Sequence, residues 1–206
     1  MPCPRAITWL AAACLAMATV PAQAADAAWV QRFADDVVRA GDADGRVFGV
    51  IDKPSAMLWL FDGQGRPLAH SRVLVGQARG DVAPADIGTR PLARVRSHEK
   101  ITSAGRYVTE PGRNTLGEDI VWLDYDAALS MHRVRHVAGE RRHERLHSPG
   151  TADKRISFGC INVPAGFYDR FVDPLFNRAT GVVYVLPESQ PVQRVFRFAR
   201  DAVSLN

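Results

Sequence analysis

The sequence predicts a mainly β domain with a few short helices, and three observations carry that expectation. From Val47 onward the apolar residues come in short segments broken by Gly, Pro and Asp, the texture of strands and turns. Phe61-Asp62-Gly63-Gln64-Gly65 lies between two such segments and has the composition of a hairpin connection, with glycines able to take positive φ. Helical spacing is confined to a stretch near the start, a stretch after Pro164 and the tail. A mostly antiparallel core follows from the hairpin logic.

The chain opens with Arg5, an almost unbroken apolar run from Ile7 to Val20, and Ala22-Gln23-Ala24. A positive start, a short apolar run and an A-x-A site read as a secretory signal peptide over residues 1–24, with export to the periplasm or cell envelope. The run is shorter than the roughly 20 apolar residues that span a bilayer. No second long apolar run follows, so the expected mature chain has no transmembrane segment. Its length, roughly 180 residues, suits one domain with a full core. Residues 25–46 form an expected helical segment: Trp29, Val30, Phe33, Val37 and Val38 recur at helical spacing until Gly41-Asp42-Ala43-Asp44-Gly45 ends the pattern.

The main domain is expected over residues 47–187. Its strands are Val47–Ile51, Ala56–Phe61, Leu68–Val75, Arg106–Thr109, Ile120–Tyr125 and Leu129–Val134, with a last strand at Gly181–Leu186. Pro164–Val172 reads as a helix with Pro near its start. The tail, residues 188–206, places Val192, Val195, Phe196, Phe198 and Ala199 in a basic setting and reads as a packed terminal helix. The formal net charge is +4, of which the signal removes only Arg5. That mild bias lacks the clustered stripe of a nucleic-acid footprint, so no nucleic-acid partner is expected. Arg141-Arg142-His143-Glu144-Arg145 is interrupted by acid and reads as a solvated face.

Cysteine usage turns attention to one position. Cys3 and Cys14 leave with the signal, and Cys160 remains alone in Ser157-Phe158-Gly159-Cys160-Ile161-Asn162. A solitary thiol in an exported protein has no internal disulfide partner, which leaves a buried small hydrophobe or a nucleophile as its roles. A thiol attacks as thiolate, and its free pKa of about 8.5 means that it needs a base or aligned dipoles. Gly159 admits backbone geometry closed to other residues, and the amides around it are candidates for receiving an oxyanion. A helix entered soon after Cys160 would add its dipole. Among six histidines, His70, His98, His136, His143 and His147 lie in polar stretches, whereas His132 falls inside an apolar-polar run, Ala128 to Val134. A strand-borne imidazole with its second nitrogen held by a backbone carbonyl is a well-oriented general base, and His147 is the second choice.

These residues resemble the catalytic motif of the L,D-transpeptidases, the YkuD-type cysteine enzymes of bacterial peptidoglycan. Ile101-Thr102-Ser103-Ala104-Gly105-Arg106-Tyr107 is similar to the Thr-Pro-x-Gly-x-Phe segment of that family, and Val50-Ile51-Asp52, Leu58-Trp59-Leu60-Phe61 and Val73-Leu74-Val75-Gly76 are similar to its first strands. The resemblance spans roughly Val47 to Pro187 and implies the antiparallel β-sandwich-like YkuD fold. It implies acyl transfer through a thioester: Cys160 attacks the diaminopimelate carbonyl of a tetrapeptide stem and expels D-Ala. The acyl group then passes to an amine of another stem, of an envelope lipoprotein or of a free D-amino acid, or to water. Cys160 is then the nucleophile and His132 the base and acid. Gly159 and Cys160 supply the oxyanion hole, Ser157 orients the loop or the imidazole, and Asn162 lies near substrate. No metal or organic cofactor is implied.

The sequence departs from the family at three places. His132 stands further upstream of the cysteine than is usual, so Gly139–His147 becomes an insertion over or beside the cleft. Phe158 replaces a histidine, and Arg133 stands where glycine often follows the base. Sortases also place His before Cys, but Ile156-Ser157-Phe158-Gly159-Cys160 lacks their Thr-Leu-x-Thr-Cys pattern, and papain-like peptidases reverse the order. The alternative from another class is a non-catalytic periplasmic peptidoglycan-binding protein built on a degenerate transferase domain.

Overall fold

The structure, a computed structural model, describes residues 22–200. The expected signal peptide lies outside this range except for its last three residues, which begin the first helix. That helix, α1 (Ala22–Ala40), presents Val30, Phe33, Ala34 and Val37 to the core, as their 3.6-residue spacing requires. It ends at Gly41, which takes φ +66° and donates its N–H to the Val38 carbonyl.

The domain is mainly β, with eleven strands among the described residues arranged in three sheets. β1 (Phe48–Asp52), β2 (Met57–Phe61), β3 (Pro67–Arg72), β5 (Gly105–Val108) and β11 (Val182–Val185) form a five-stranded sheet in the order β3-β2-β1-β11-β5. β6 (Glu110–Arg113), β7 (Asp119–Asp124), β8 (Leu129–Arg133) and β10 (Ile161–Val163) form a second sheet in the order β10-β8-β7-β6. A two-stranded ladder joins β4 (Val75–Gly76) to β9 (Arg155–Ser157). The β2–β3 hairpin forms as expected: Asp62 N–H bonds to the Arg66 carbonyl, and Gly65 takes φ +76°.

The antiparallel expectation needs correction, because the sheets are mixed. β1 pairs with β11, β8 with β10 and β4 with β9 in parallel. Each parallel pair joins segments far apart in sequence, a pairing that hairpin logic between neighbours cannot reveal. β11 enters between β1 and β5, and β1 carries an apolar layer on each face, so Phe48–Ile51 reads as a nearly continuous apolar run rather than alternation.

Two apolar layers hold these parts together. Leu58, Leu60, Val183 and Val185 of the first sheet meet Val121, Met131, Ile161 and Val163 of the second, closed by Tyr168, Val172 and Phe176. The last three belong to a wide π-helical turn, Tyr168–Asn177, that continues α3 (Ala165–Phe167) and accommodates Pro174. On the other face of the five-stranded sheet, Phe48, Phe61 and Tyr184 pack under Phe33 of α1 and Phe196 of the tail.

Over residues 188–200 the tail packs as expected but is not a helix: one 3-10 turn, Val192–Arg194, is its only regular element there, and the rest of the expected helix, residues 201–206, lies outside the described residues. Its backbone is tied to α1 instead, with Arg200 N–H donating to Asp36 Oδ2 (2.8 Å) and Arg39 to the Phe198 carbonyl (3.2 Å). Bonds to a neighbouring element satisfy groups that a helix would have satisfied internally. No helix among the described residues is long and apolar enough to cross a membrane.

Candidate active site

Cys160 lies in the bend between β9 and β10, partly exposed at a cavity of about 390 Å³. Its loop is fixed from three sides. Ser157 Oγ donates to the Cys160 carbonyl (2.6 Å) and accepts the Gly159 N–H (3.1 Å), closing a local turn. Thr102 Oγ1 donates to the Gly159 carbonyl (2.6 Å) while accepting the Gly76 N–H (2.8 Å), which pins the turn to β4. Asn162, fully buried, donates to the Cys160 carbonyl (3.2 Å), and its backbone pairs in both directions with Leu74 at 2.9 Å.

Gly159 is required in this turn. Its φ of +138° lies where side chains are rarely tolerated, and a Cβ would meet the Ile101 carbonyl oxygen at 2.9 Å. Its expected share in an oxyanion hole is corrected, because its N–H is already given to Ser157 Oγ. The expected helix dipole is absent as well. β10 and Pro164 separate Cys160 from Ala165, the first residue of α3.

His132 borders the same cavity from β8, which runs beside β10 with Asn162 opposite His132. Its Nδ1 lies 2.8 Å from the Arg133 carbonyl oxygen. A carbonyl can only accept, so Nδ1 carries the proton and Nε2 is left as the basic nitrogen. Burial, the largest single influence on the thiol, pushes its pKa up. The hydrogen bond and charge of His132, together with hydrogen bonds from the Ser130 hydroxyl and N–H, outweigh burial and leave the thiol below its ordinary value. Ser130 Oγ is 3.5 Å from Sγ, and Sγ is 3.2 Å from the Ala128 carbonyl oxygen.

Four of the five expected site residues, Cys160, His132, Ser157 and Asn162, line one cavity, and the fifth, Gly159, lies behind the lining in the turn that carries Cys160. Asn162 serves it by holding the Cys160 carbonyl. His147 is not brought there: it is exposed on α2 (Arg142–His147) and offers only its carbonyl, to Arg72. Arg133 turns away from its neighbour to pair with Asp119 and Asp169 over the Tyr168 ring. Phe158 lies under the Lys100 ammonium, 3.8 Å from the ring centre.

Sequence reasoning missed Arg142, which it assigned to a solvated face. The segment expected as an insertion, Gly139–His147, includes α2, which lies beside the cavity and is anchored by Leu146 against Leu74 and Val134. The Arg142 side chain is only 11% exposed, pairs with Glu140, and donates from Nη1 to Asn162 Oδ1 (2.8 Å). Its spacing of four residues from Leu146 is the one signal that put both on the inward side of a helix. Ser130, two residues before His132 on the same strand face, was legible by the same alternation. Among the described residues no cluster of three or more His, Cys, Asp or Glu side chains forms a candidate metal site.

No protein-family model matches the chain, and no curated protein matches it. Among solved structures, it is similar to the helical cell shape determining protein Pgp2 from Campylobacter jejuni, at 13% identity and a TM-score of 0.47. A lysine-to-alanine mutant of Pgp2 aligns at 12% identity and a TM-score of 0.46. Each alignment covers 78% of this chain, and this chain spans 57% and 56% of the length of those two chains.

Proposed function

We propose that this protein is a cysteine acyltransferase of the L,D-transpeptidase type that acts on peptidoglycan stem peptides in the cell envelope. The observation that carries the reading is the pairing of a lowered-pKa Cys160 with a strand-held His132 whose tautomer is set by the Arg133 carbonyl. His132 Nε2 takes the thiol proton, and the thiolate attacks the diaminopimelate carbonyl of the donor stem. The Cys160 N–H, presented by the Gly159 turn, receives the oxyanion. Collapse breaks the peptide bond, and the imidazolium returns its proton to the departing D-Ala amine. The thioester then yields to an acceptor, a stem amine, a lipoprotein lysine, a D-amino acid or water, whose proton passes to His132 and on to the released thiolate. The antiparallel sandwich of the family gives way in this reading to the mixed sheets described above, with the cysteine loop between two parallel-paired strands.

Intact-protein mass spectrometry with a purified disaccharide tetrapeptide tests it. An adduct on the wild type, absent in Cys160→Ala and accompanied by released D-Ala, is the expected result. His132→Ala should lose both adduct and release. A folded wild type that binds the tetrapeptide yet yields neither adduct nor D-Ala would replace this reading with that of a non-catalytic peptidoglycan binder.

A further inference from the structure

The Cys160 cavity has an unbalanced charge. Arg142 and Arg135 border it together with His132, and no Asp or Glu among the described residues does. The partner of Arg142, Glu140, holds its Nε from outside the cavity lining, while Nη1 is held by Asn162. The fork is thereby fixed by two side chains, one of which also grips the Cys160 carbonyl. Arg135 is half exposed, with Glu118 at 3.8 Å as its nearest carboxylate partner. Ile87, Leu92 and Val95, from the segment between β4 and β5, supply an apolar wall.

We infer that Arg142, assisted by Arg135, forms an anion subsite that holds a carboxylate of the acyl donor beside the Cys160 thiol. A pre-organised guanidinium in a partly desolvated cavity matches a carboxylate in shape and charge, and ordering costs little because the fork is already placed. The inserted α2 is therefore a specificity element: it brings a second cation to a cleft whose only other arginine, Arg135, comes from the segment after β8. The inference deepens the acyl-transfer reading by assigning the group that recognises the donor. It is tested without turnover, so the two can fail separately.

The test compares alkylation of Cys160 by iodoacetate and by iodoacetamide, reagents that form the same sulfur–carbon bond and release the same iodide but differ by one carboxylate. In Arg142→Gln the iodoacetate-to-iodoacetamide rate ratio should fall about tenfold, the scale of one charge-assisted hydrogen bond. Arg141→Gln removes an equal charge from an exposed neighbour outside the cavity and should leave the ratio unchanged. An unchanged ratio in Arg142→Gln, or equal falls in both variants, would overturn the subsite, the latter by revealing a diffuse field. Urea denaturation first establishes that both variants are folded, since an unfolded chain would lose the subsite and the ratio together. The wild type gives an independent reading: N-acetyl-D-alanine should protect Cys160 from iodoacetamide about tenfold better than its amide does, and equal protection would refute the assignment. A ratio that shifts as expected, in a protein that releases no D-Ala, would keep the subsite and discard the transferase.

Discussion

Thr102→Val isolates the contact on which the cysteine loop rests. The Thr102 hydroxyl is buried, accepts the Gly76 N–H at 2.8 Å and donates to the Gly159 carbonyl at 2.6 Å. Valine keeps the shape, so no cavity opens, but it leaves one buried N–H and one buried C=O without their partner. At about 1–3 kcal/mol for each unsatisfied group, with some relief from rearrangement, the expected loss is about 2–4 kcal/mol. Thr102→Ser keeps the hydroxyl and should lose only the buried methyl, about 1 kcal/mol. Urea denaturation gives both values, and iodoacetamide kinetics report the thiol. The Val variant should also alkylate more slowly, because the released Gly159 carbonyl lets the turn carrying Cys160 drift from His132. A Val variant within about 0.5 kcal/mol of wild type, with the thiol rate unchanged, would refute the claim that Thr102 anchors the loop.

Alkylation of the wild-type thiol should reach half its maximal rate at a pH below the ordinary thiol value of about 8.5, and His132→Ala should move that midpoint upward because burial then meets less opposition; a wild-type midpoint at or above the ordinary value contradicts the pairing. Asp81 meets the buried Lys53 ammonium at 2.8 Å. Burial tends to raise its pKa, but Lys53, Ser189 and two backbone amides hold it well below the usual range. Because its folded pKa is depressed, its contribution to stability is present above the unfolded value of about 3.9 and is lost as pH falls from there. Asp81→Asn should flatten that acid-side slope and cost about 3 kcal/mol at neutral pH, since Lys53 keeps its buried charge with one partner fewer; an unaltered urea midpoint and acid slope would count against it. Phe196→Ala should destabilise by about 3 kcal/mol through the aromatic cluster with Phe33 and Tyr184, and a loss under about 1 kcal/mol would mean that the tail merely lies on α1.

Local signals explain which elements were legible. α1 was readable because its buried side chains repeat at helical spacing, and the β2–β3 hairpin because its turn glycines sit between apolar runs. β6 was not, since Glu110-Pro111-Gly112-Arg113 is a largely exposed edge strand that includes a proline. β9 and β10 are three residues each, too short for a periodic pattern, although they frame the nucleophile. The tail differs from its expectation because Val192, Val195, Phe196 and Ala199 have helical spacing, while its backbone closes only short turns and is otherwise tied to Asp36 and Arg39 across the molecule.

By itself the sequence determined the residues of the candidate site and the texture around them: a lone thiol after a glycine, a histidine in a strand, and a β-rich chain to carry them. Those features are local, set by residue type and by spacings of two or 3.6 residues. The tertiary structure alone decided that β8 and β10 run parallel with His132 opposite Asn162, that Thr102 holds the Gly159 carbonyl, and that Arg142 turns inward from a stretch that reads as solvated. Each of those contacts joins segments distant in the chain, and such contacts form only when burying the two apolar layers outweighs the entropy of closing the loops between them.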